Sequence, residues 1–328
     1  MTRRFNERAA VLSALAVLAY GTCFHAWGQG SYPTRPVRIV VVTAAGGGGD
    51  MVARTIAQGL TERMGRQVIV ENRTGAGGII GYETVAKSPA DGYTVLFCAP
   101  TLAINSATHK KLPYDAVRDF VPITQTVFSP NILLSHPSMP VKTAKELIAF
   151  AKARPGQVLY ASAGHGTGPH LALELFSMMA GIKMLHVPYK GATPGMVDLI
   201  AGNVALMAPA MVSGLPHVRS QKLRALGVTS KDRMSIAPDM PTVSESGLPG
   251  YETVVWYGLL APTGTPQAII SKLHAETASV LNLPATKSRV ATDGAEVVAS
   301  SPEQFAQFLR TEIDKWAKVA KAAGIKPE

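Results

Sequence analysis

The chain has little cysteine, and this limits how it can be held together. It contains two cysteines, and Cys23 lies in an N-terminal segment that we expect to be removed. The remaining Cys98 cannot form an intramolecular disulfide. Its apolar surroundings, TVLFCAP, predict a buried and inert thiol.

The usual signatures of catalysis and of nucleotide binding are also missing. No GxSxG frame surrounds Ser162, and His165, His170 and His186 do not have the spacing of zinc ligands. The glycine run GGGGDMVA lacks the lysine and the Ser/Thr of a P-loop, and GAGGIIG (75–81) departs from the dinucleotide fingerprint. These absences predict no metal, no cofactor and no enzymatic activity.

Long apolar runs are absent beyond the N-terminus. AVLSALAVLAYG (10–21) follows three arginines, is too short to span a bilayer, and precedes AWG, whose small residues suit a cleavage site at Gly28. We therefore expect residues 1–28 to be a signal peptide and the mature chain to lie outside the cytoplasm. The Sec and twin-arginine routes both remain open.

Basic residues outnumber acidic ones without forming clusters. The formal net charge is +10, and removing residues 1–28 leaves 29 basic and 21 acidic residues, a net charge of +8. This surplus favours anionic partners in general. Nucleic acid is not indicated, because the sequence has no run of five basic residues and no aromatic residues interleaved with them.

Short apolar strands alternate with amphipathic helices along the chain. VRIVVVT (37–43) predicts a buried parallel strand, and MVARTIAQGLTERMG (51–65) predicts a helix with Asp50 as its N-cap and Gly65 as its stop. Repetition of this order predicts parallel α/β sheets. On a late strand, Trp256 and Tyr257 are expected in the core, with stacking against a ligand as the alternative.

Three glycine-rich turns each join a predicted strand to a predicted helix: AAGGGGD (44–50), GAGGIIG (75–81) and SAGHGTGPH (162–170). A helix start offers free backbone N–H groups, which bind an anion without a charged side chain. A phosphate, a small carboxylate and a purely connecting turn are the alternatives. Asp50 would compete with a phosphate for the same donors, which favours the carboxylate.

The chain resembles a known receptor family through eight motifs that stand in order at the expected spacing. They are GGGGDMVAR, VIVENRTGAGGIIGYETVAKSPADGYTVL, YDAVRDFVPIT, ELIAFAKARPG, SAGHGTGPHLALELF, HVPYKGATPGMVDLIAGNV, PTVSESGLPGYE and WYGLLAPTGTP. Together they resemble the substrate-binding proteins of tripartite tricarboxylate transporters, the Bug family of periplasmic receptors. The resemblance covers essentially the whole mature chain.

The resemblance implies a type II periplasmic binding protein fold, an α/β architecture of two domains joined by a two-strand hinge with the ligand cleft between them. We expect domain 1 to comprise residues 29–130 and 253–328, and domain 2 to comprise residues 131–252. The chain would cross the hinge in ITQTVFSPNILL and YETVVWYG. The implied protein is a monomeric receptor that captures a small organic carboxylate and delivers it to the membrane permease subunits.

The resemblance also implies which residues grip the ligand, largely through backbone N–H groups and ordered waters. The implied residues are Thr43, Ala44, Gly46, Gly47, Gly48 and Asp50, with Thr101 and Asn105 near the cleft mouth, then Ser162, Gly164, His165, Gly166, Thr167 and His170, with Tyr189, Lys190 and Gly191 at the cleft border.

Some positions depart from the family pattern. Thr43 replaces a common aromatic residue, His165 replaces a common asparagine, and Ala205 replaces an aspartate, which is expected to disfavour ligands with an ammonium group. Gly59→Ala, inside the predicted first helix, is expected to leave ligand affinity nearly unchanged. A carboxylate sensor of the same fold, and an exported α/β hydrolase or oxidoreductase, remain the alternative functions.

Overall fold

Two β-sheets and the helices around them make up the computed structural model, which describes residues 32–324 except 44, 47, 165, 166, 190, 293 and 323. The predicted signal peptide, residues 1–28, lies outside these described residues. No helix in the described part of the chain combines the length and the apolarity needed to cross a bilayer.

The helices and strands follow the predicted alternation. The first segment contains β1 (Val37–Val41), α1 (Gly48–Met64), β2 (Val68–Asn72), α2 (Ile79–Ala86), β3 (Thr94–Cys98), α3 (Thr101–Thr108) and β4 (Phe120–Pro130). The middle segment contains β5 (Ile132–Ser135), α4 (Ala144–Ala153), β6 (Leu159–Ser162), α5 (Gly168–Ala180), β7 (Leu185–Pro188), α6 (Ala192–Ala201), β8 (Leu206–Met207), α7 (Met211–Arg219) and β9 (Arg224–Val228). The last segment contains β10 (Val254–Pro262), α8 (Gln267–Leu281), α9 (Pro284–Thr292), β11 (Glu296–Val297) and α10 (Pro302–Ala322).

The strands form two mixed sheets, and the chain passes between them twice. The first sheet has the order β11-β4-β10-β3-β1-β2, and the second has the order β7-β6-β8-β5-β9. β4 of the first sheet leads directly into β5 of the second, and β9 leads back into β10. The first sheet is therefore built from two separate segments of the chain and the second from the continuous segment between them, while the domain boundaries at 130/131 and 252/253 stay a prediction.

A compact hydrogen-bond cluster ties the two crossings together. The Asn131 and Thr229 backbones are joined by an N–H to carbonyl bond of 2.9 Å, and the Thr229 hydroxyl accepts from the Asn131 N–H at 2.8 Å. The same hydroxyl donates to the Thr253 carbonyl at 2.5 Å. All three residues are buried, so the hinge strands are held side by side where they leave one sheet for the other.

The two faces of the hinge strands differ because successive side chains of a strand point to opposite faces. On the face that carries Trp256, a single hydrophobic cluster contains residues of both halves, including Trp316 and Phe176. Trp256 is fully buried, which confirms its expected core position. The other face carries Val255 and Tyr257 and borders an interdomain pocket.

Cys98 is fully buried in the same cluster as Trp256. Its Sγ lies 3.3 Å from the Gly258 carbonyl and donates to it, and burial raises the pKa of the thiol well above its usual value. The prediction of a buried thiol is confirmed.

The structure corrects one prediction about α1 and leaves untested the prediction that Gly59→Ala does not change ligand affinity. The helix begins at Gly48, so Asp50 lies within its first turn and is not the N-cap. Gly59 faces α8, and a Cβ there would lie 2.6 Å from Val280 Cγ1, so alanine would disturb the packing of the two helices. The predicted stop is confirmed, since Gly65 follows the helix with φ +63°.

Helix α7 was not predicted, because Pro216 and Gly214 both disfavour a helix interior. Its formation depends on contact with the second sheet. A Cβ on Gly214 would lie 2.4 Å from Ile132 Cγ2 and 3.1 Å from Leu134 Cδ1, so the missing side chain lets α7 lie directly on β5. This tertiary contact outweighs the local preference.

Candidate functional site

The predicted ligand loops lie at the carboxyl ends of parallel strands in both sheets. In the first sheet β1 pairs in parallel with β2 and β3, and in the second β6 pairs in parallel with β7 and β8. Parallel strands end at a common edge, which is where open α/β sheets bind ligands. The loops before α1, α5, α6 and α7 all leave such an edge.

The loop after β1 is organised by Asp50, whose carboxylate is buried. One carboxylate oxygen accepts from the Gly46 N–H at 2.8 Å and from Arg54 Nε at 2.9 Å. The other accepts from Asn72 Nδ2 at 2.9 Å, and the same amide donates to the Thr43 carbonyl at 3.0 Å. Asp50 and Asn72 together therefore connect both ends of the loop to β2. In this structure the Asp50 carboxylate is hydrogen-bonded to other groups of the protein.

These contacts also determine the charge of Asp50. Burial acts to raise the pKa of the carboxyl, but the hydrogen bonds from Arg54, the Gly46 N–H and Asn72 outweigh it and hold the pKa below its usual value. The carboxylate is therefore ionised at neutral pH, which keeps all three donors attached to it.

Gly49 provides the closest approach in the first loop region. A Cβ at this position would lie 2.7 Å from Thr43 Oγ1 and 2.8 Å from Tyr257 Cε1, so the α1 backbone fits between these two side chains. The Gly49 N–H donates to the Tyr257 hydroxyl, and burial raises the pKa of Tyr257 to about 12. Tyr257 also stacks on Phe97, with ring centroids 5.5 Å apart.

Asn105 contacts the neighbouring glycine turn, and Thr101 contacts the helix α2 that follows this turn. The Thr101 hydroxyl lies 2.7 Å from the Tyr82 hydroxyl. The buried Asn105 amide donates to the Gly77 carbonyl at 3.2 Å and to the Tyr114 hydroxyl at 3.3 Å. These contacts hold α3 against the turn that follows β2.

The loop after β6 closes on itself around Ser162. The Ser162 hydroxyl accepts from the Gly164 N–H at 3.1 Å, and it lies 2.6 Å from His186 Nε2. The Thr167 hydroxyl donates to the Gly164 carbonyl at 2.7 Å. Gly164 has φ +127°, a conformation that favours glycine, so the identity of this residue shapes the loop.

An aromatic stack supports this loop from the sheet side. The rings of His170 and His186 lie 3.9 Å apart, and Tyr160 stacks on His186 at 4.9 Å. The Tyr160 hydroxyl donates to the Glu174 carboxylate. His170 is thus packed among side chains of domain-2 elements, as part of the scaffold of the loop.

The loop after β7 is joined to the Ser162 loop through the backbone. The N–H groups of Tyr189 and Gly191 donate to the carbonyls of Ser162 and Ala163, both at 3.2 Å. The Tyr189 hydroxyl donates to Asp198 at 2.5 Å, and burial together with Asp198 raises the pKa of Tyr189 to about 12. Gly191, with φ +110°, then starts α6.

A pocket of about 370 Å³ lies between the two halves, on the Tyr257 face of the hinge strands. Helix starts of both halves and the hinge strands β4 and β10 contribute to its lining residues, which are Gly48, Met51, Val52, Ser129, Ala210, Val212, Ser213, Val255, Tyr257 and Ala295. Ser213 also borders a second groove of about 260 Å³ that reaches the start of α6 at Ala192. Helices α1 and α7 both begin at the interdomain pocket.

The sequence-based set of site residues is thus only partly brought together. Gly48 lines the pocket and Thr43 lies beside it, while Ser162, Gly164, Thr167, His170, Tyr189 and Gly191 form one connected cluster in the second half. Of the predicted residues that the structure describes, Gly48 is the one that lines this pocket; Thr101, Asn105 and the second-half cluster are not among its lining residues. Ala44, Gly47, His165, Gly166 and Lys190 lie outside the described residues.

Sequence reasoning missed Met51, Val212 and Ser213, and it favoured a core position for Tyr257 over the ligand-facing alternative. Met51 lies on the predicted first helix, so its position one turn after the glycine run was an available signal. Val212 and Ser213 begin the unpredicted α7 and carried no such signal. Among the described residues, no group of three His, Cys, Asp or Glu side chains could hold a metal ion.

The expectation that Ala205 disfavours ligands with an ammonium group assumed that this residue lies near the ligand loops, and the structure contradicts that assumption. Ala205 precedes β8, and its N–H donates to the carbonyl of Leu159 at the beginning of β6. Because β6 and β8 are parallel, this is the end of the sheet opposite to the ligand loops. The residue at this position cannot decide whether an ammonium group is accepted in the cleft.

Comparison with known proteins identifies the family. The sequence profile described as "Tripartite tricarboxylate transporter family receptor" matches residues 52–325. Protein BugT of Bordetella pertussis is 38% identical over 298 residues, which cover 90% of this chain and 91% of that protein.

Solved structures agree with this match. The R. palustris protein Rpa4515 with adipate has a TM-score of 0.76 and 37% identity, covering 90% of this chain and 100% of that one. MatC from Rhodopseudomonas palustris with bound malate has a TM-score of 0.72 and 31% identity, covering 88% and 99%. The predicted type II periplasmic binding protein fold is confirmed, and the chain belongs to the family of tripartite tricarboxylate transporter receptors.

Proposed function

We propose that this protein is an exported receptor that binds a small organic carboxylate between its two domains and delivers it to the permease subunits of a tripartite tricarboxylate transporter. The observation that carries the proposal is the interdomain pocket at which both α1 and α7 begin. Helix N-termini favour anions because their first N–H groups lack intrahelical partners and the helix dipole is positive there. Rpa4515 with adipate and MatC with malate are similar proteins whose ligands are carboxylates.

The two domains supply different parts of the grip. We assign residues 29–130 and 253–328 to domain 1 and residues 131–252 to domain 2, which agrees with the membership of the two sheets. Gly48 and Thr43 would contact the ligand from domain 1. Thr43 Oγ1 supports this assignment, because it is buried with no hydrogen-bond partner in the described part of the chain.

From domain 2, we assign the Ser162 loop, including Gly164 and Thr167, and the start of α6 at Gly191 to the opposite wall of the cleft. Their contacts keep these segments in one arrangement before a ligand arrives. Asp50, Asn105 and His170 are assigned a positioning role, since their polar groups or rings contact other parts of the protein.

An exported hydrolase is the alternative function that one contact favours, because Ser162 Oγ lies 2.6 Å from His186 Nε2. A nucleophile must reach its substrate, however, and Ser162 is fully buried. Its hydroxyl also contacts both the N–H and the carbonyl of Gly164. These contacts favour a structural role for the pair and support a receptor without enzymatic activity.

Export, partner and oligomeric state complete the proposal. Residues 1–28 would direct the chain to the periplasm, and the mature protein would act as a monomer. A sensor would use the same cleft, so transport is favoured here through the family to which the chain belongs.

Thermal unfolding with carboxylates tests the proposal directly. A ligand at 100 times its dissociation constant adds about 2.7 kcal/mol to the free energy of unfolding, and this raises the Tm by roughly 5–10 °C for a protein of this size. Adipate, malate and citrate are the first probes, followed by calorimetry on those that raise the Tm. If the protein is folded and no carboxylate changes its Tm, the proposal is wrong.

A further inference from the structure

The interdomain pocket is apolar where the body of a ligand would lie. None of its described lining residues carries a charge, and seven of the ten have only hydrocarbon or thioether side chains or none. We propose that the ligand is a carboxylate with a hydrocarbon body, aliphatic or aromatic, in preference to a hydroxylated acid. This inference rests on the proposed receptor function.

Domain 1 and the hinge strand β10 provide one apolar wall. Met51 and Val52 follow Gly48 on the first turn of α1, and Val255 and Ala295 complete the surface. Val52 and Ala295 are buried, so they form a fixed floor. Met51 is half-buried, and its flexible thioether can adapt to ligands of different shape.

Domain 2 provides the opposite wall through Val212. A polar side chain would be easily solvated at this domain boundary, yet the residue here is a valine that is 45% exposed. A Cβ on Gly294 would lie 3.2 Å from the Val212 backbone nitrogen, so the missing side chain lets α7 approach the domain 1 backbone. Val212 is thereby held facing the pocket wall that contains Ala295.

Few side-chain groups could pair with ligand hydroxyls. The Ser129 hydroxyl donates to the Gly294 carbonyl at 3.0 Å, and the Tyr257 hydroxyl accepts from the Gly49 N–H. Among the described lining residues, this leaves the Tyr257 proton and the Ser213 hydroxyl as side-chain donors, and the Ser129 oxygen can only accept. A hydroxylated ligand would bury some of its hydroxyls without partners, which is unfavourable.

The size of the pocket agrees with this inference. Its volume of about 370 Å³ lies near the lower end of the range of about 300–1,000 Å³ that is typical of small-molecule sites. The pocket would hold the carbon chain or ring, while the carboxylate lies at the start of α1 beside Gly48. No acidic residue is present among the described lining residues to pair with an ammonium group.

Matched pairs of acids test the inference by calorimetry. Adipate and galactarate, succinate and tartrate, and tricarballylate and citrate have the same carboxylates on the same carbon chain and differ only in hydroxyl groups. For the pair that contains the tightest ligand, we expect the member without hydroxyls to bind about 10- to 100-fold more tightly, which is the discrimination that an apolar pocket achieves against an added hydroxyl.

A double variant, Met51→Gln with Val212→Thr, tests whether the apolar walls cause the preference. Both changes keep the approximate shape and add polar atoms, so the preference should fall at least threefold. The control is Val117→Thr with Met179→Gln, because these residues are 46% and 38% exposed and lie outside the pocket lining. The control should keep the wild-type preference.

The outcomes separate this inference from the receptor proposal. If a hydroxylated acid binds as tightly as its partner, or if the double variant and its control behave alike, the inference is wrong while carboxylate binding stands. If neither these six acids nor the aromatic acids benzoate and terephthalate bind to the folded protein, the receptor proposal fails and the inference fails with it.

Discussion

Removing the carboxylate of Asp50 tests how the first ligand loop is held. In Asp50→Ala the Gly46 N–H, Arg54 and Asn72 each lose an acceptor. The Arg54 side chain is 54% exposed, so water replaces its contact at little cost. The Asn72 amide keeps the Thr43 carbonyl, which leaves the Gly46 N–H and one amide hydrogen as the main losses.

The expected effect follows from these two losses. Together, the two lost hydrogen bonds to a charged acceptor near a helix start cost about 1–2 kcal/mol of the free energy of unfolding. This loss lowers the Tm by roughly 2–8 °C. If the loop must then be ordered by the ligand, the same free energy is taken from binding. The affinity for the tightest carboxylate should fall by about 5- to 30-fold.

Two measurements and one control check this reasoning. Thermal unfolding without ligand gives the loss of stability, and calorimetry gives the loss of affinity. Glu62→Ala removes an exposed carboxylate from the same helix and should change neither quantity. An Asp50→Ala protein that melts and binds like the wild type would show that Asp50 does not hold the loop.

Three further predictions concern the same region and the alternative function. Gly49→Ala should weaken carboxylate binding at least tenfold in calorimetry, because its Cβ would lie 2.8 Å from a Tyr257 ring carbon; unchanged affinity would mean that the ring moves freely. The pKa of Asp50 is lowered in the folded state, so its contribution to stability is full above the unfolded value of about 3.9 and is lost as the pH falls through the folded value. In urea unfolding, the difference between wild type and Asp50→Asn should therefore be constant from pH 7 to 5 and shrink progressively as the pH falls below about 3.9, and a difference that does not shrink below that pH would contradict this origin. Ser162→Ala should lower the Tm through loss of the Gly164 N–H contact and leave any background hydrolysis of p-nitrophenyl acetate unchanged, whereas loss of a wild-type esterase rate would favour the hydrolase.

Local sequence patterns correctly predicted most of the secondary structure and the turns, because these features depend mainly on residues close together in the chain. Strand–helix alternation predicted the α/β architecture, because hydrophobic periodicity is a local property of the chain. Glycine identity predicted the turns at the strand ends, and Gly46, Gly164 and Gly191 all have the positive φ that favours glycine. The order of eight motifs indicated the family, which the comparisons confirm.

Which side chains contact each other depends on tertiary packing, which local sequence patterns do not contain. Asp50 was predicted to cap α1, but its contact with Asn72 depends on the pairing of β1 with β2. Ala205 was expected at the ligand, yet the parallel register of β6 and β8 carries it to the opposite end of the sheet.

Helix α7 shows most clearly why local reasoning could not be complete. Pro216 and Gly214 oppose a helix through backbone terms that the sequence displays, whereas the contact of Gly214 with Ile132 that outweighs them exists only after the second sheet has formed. Val212, which forms one apolar wall of the pocket, lies in the first turn of this helix. The character of the pocket is therefore a property of the packed domains, since it depends on residues that are far apart in the sequence and are brought together by folding.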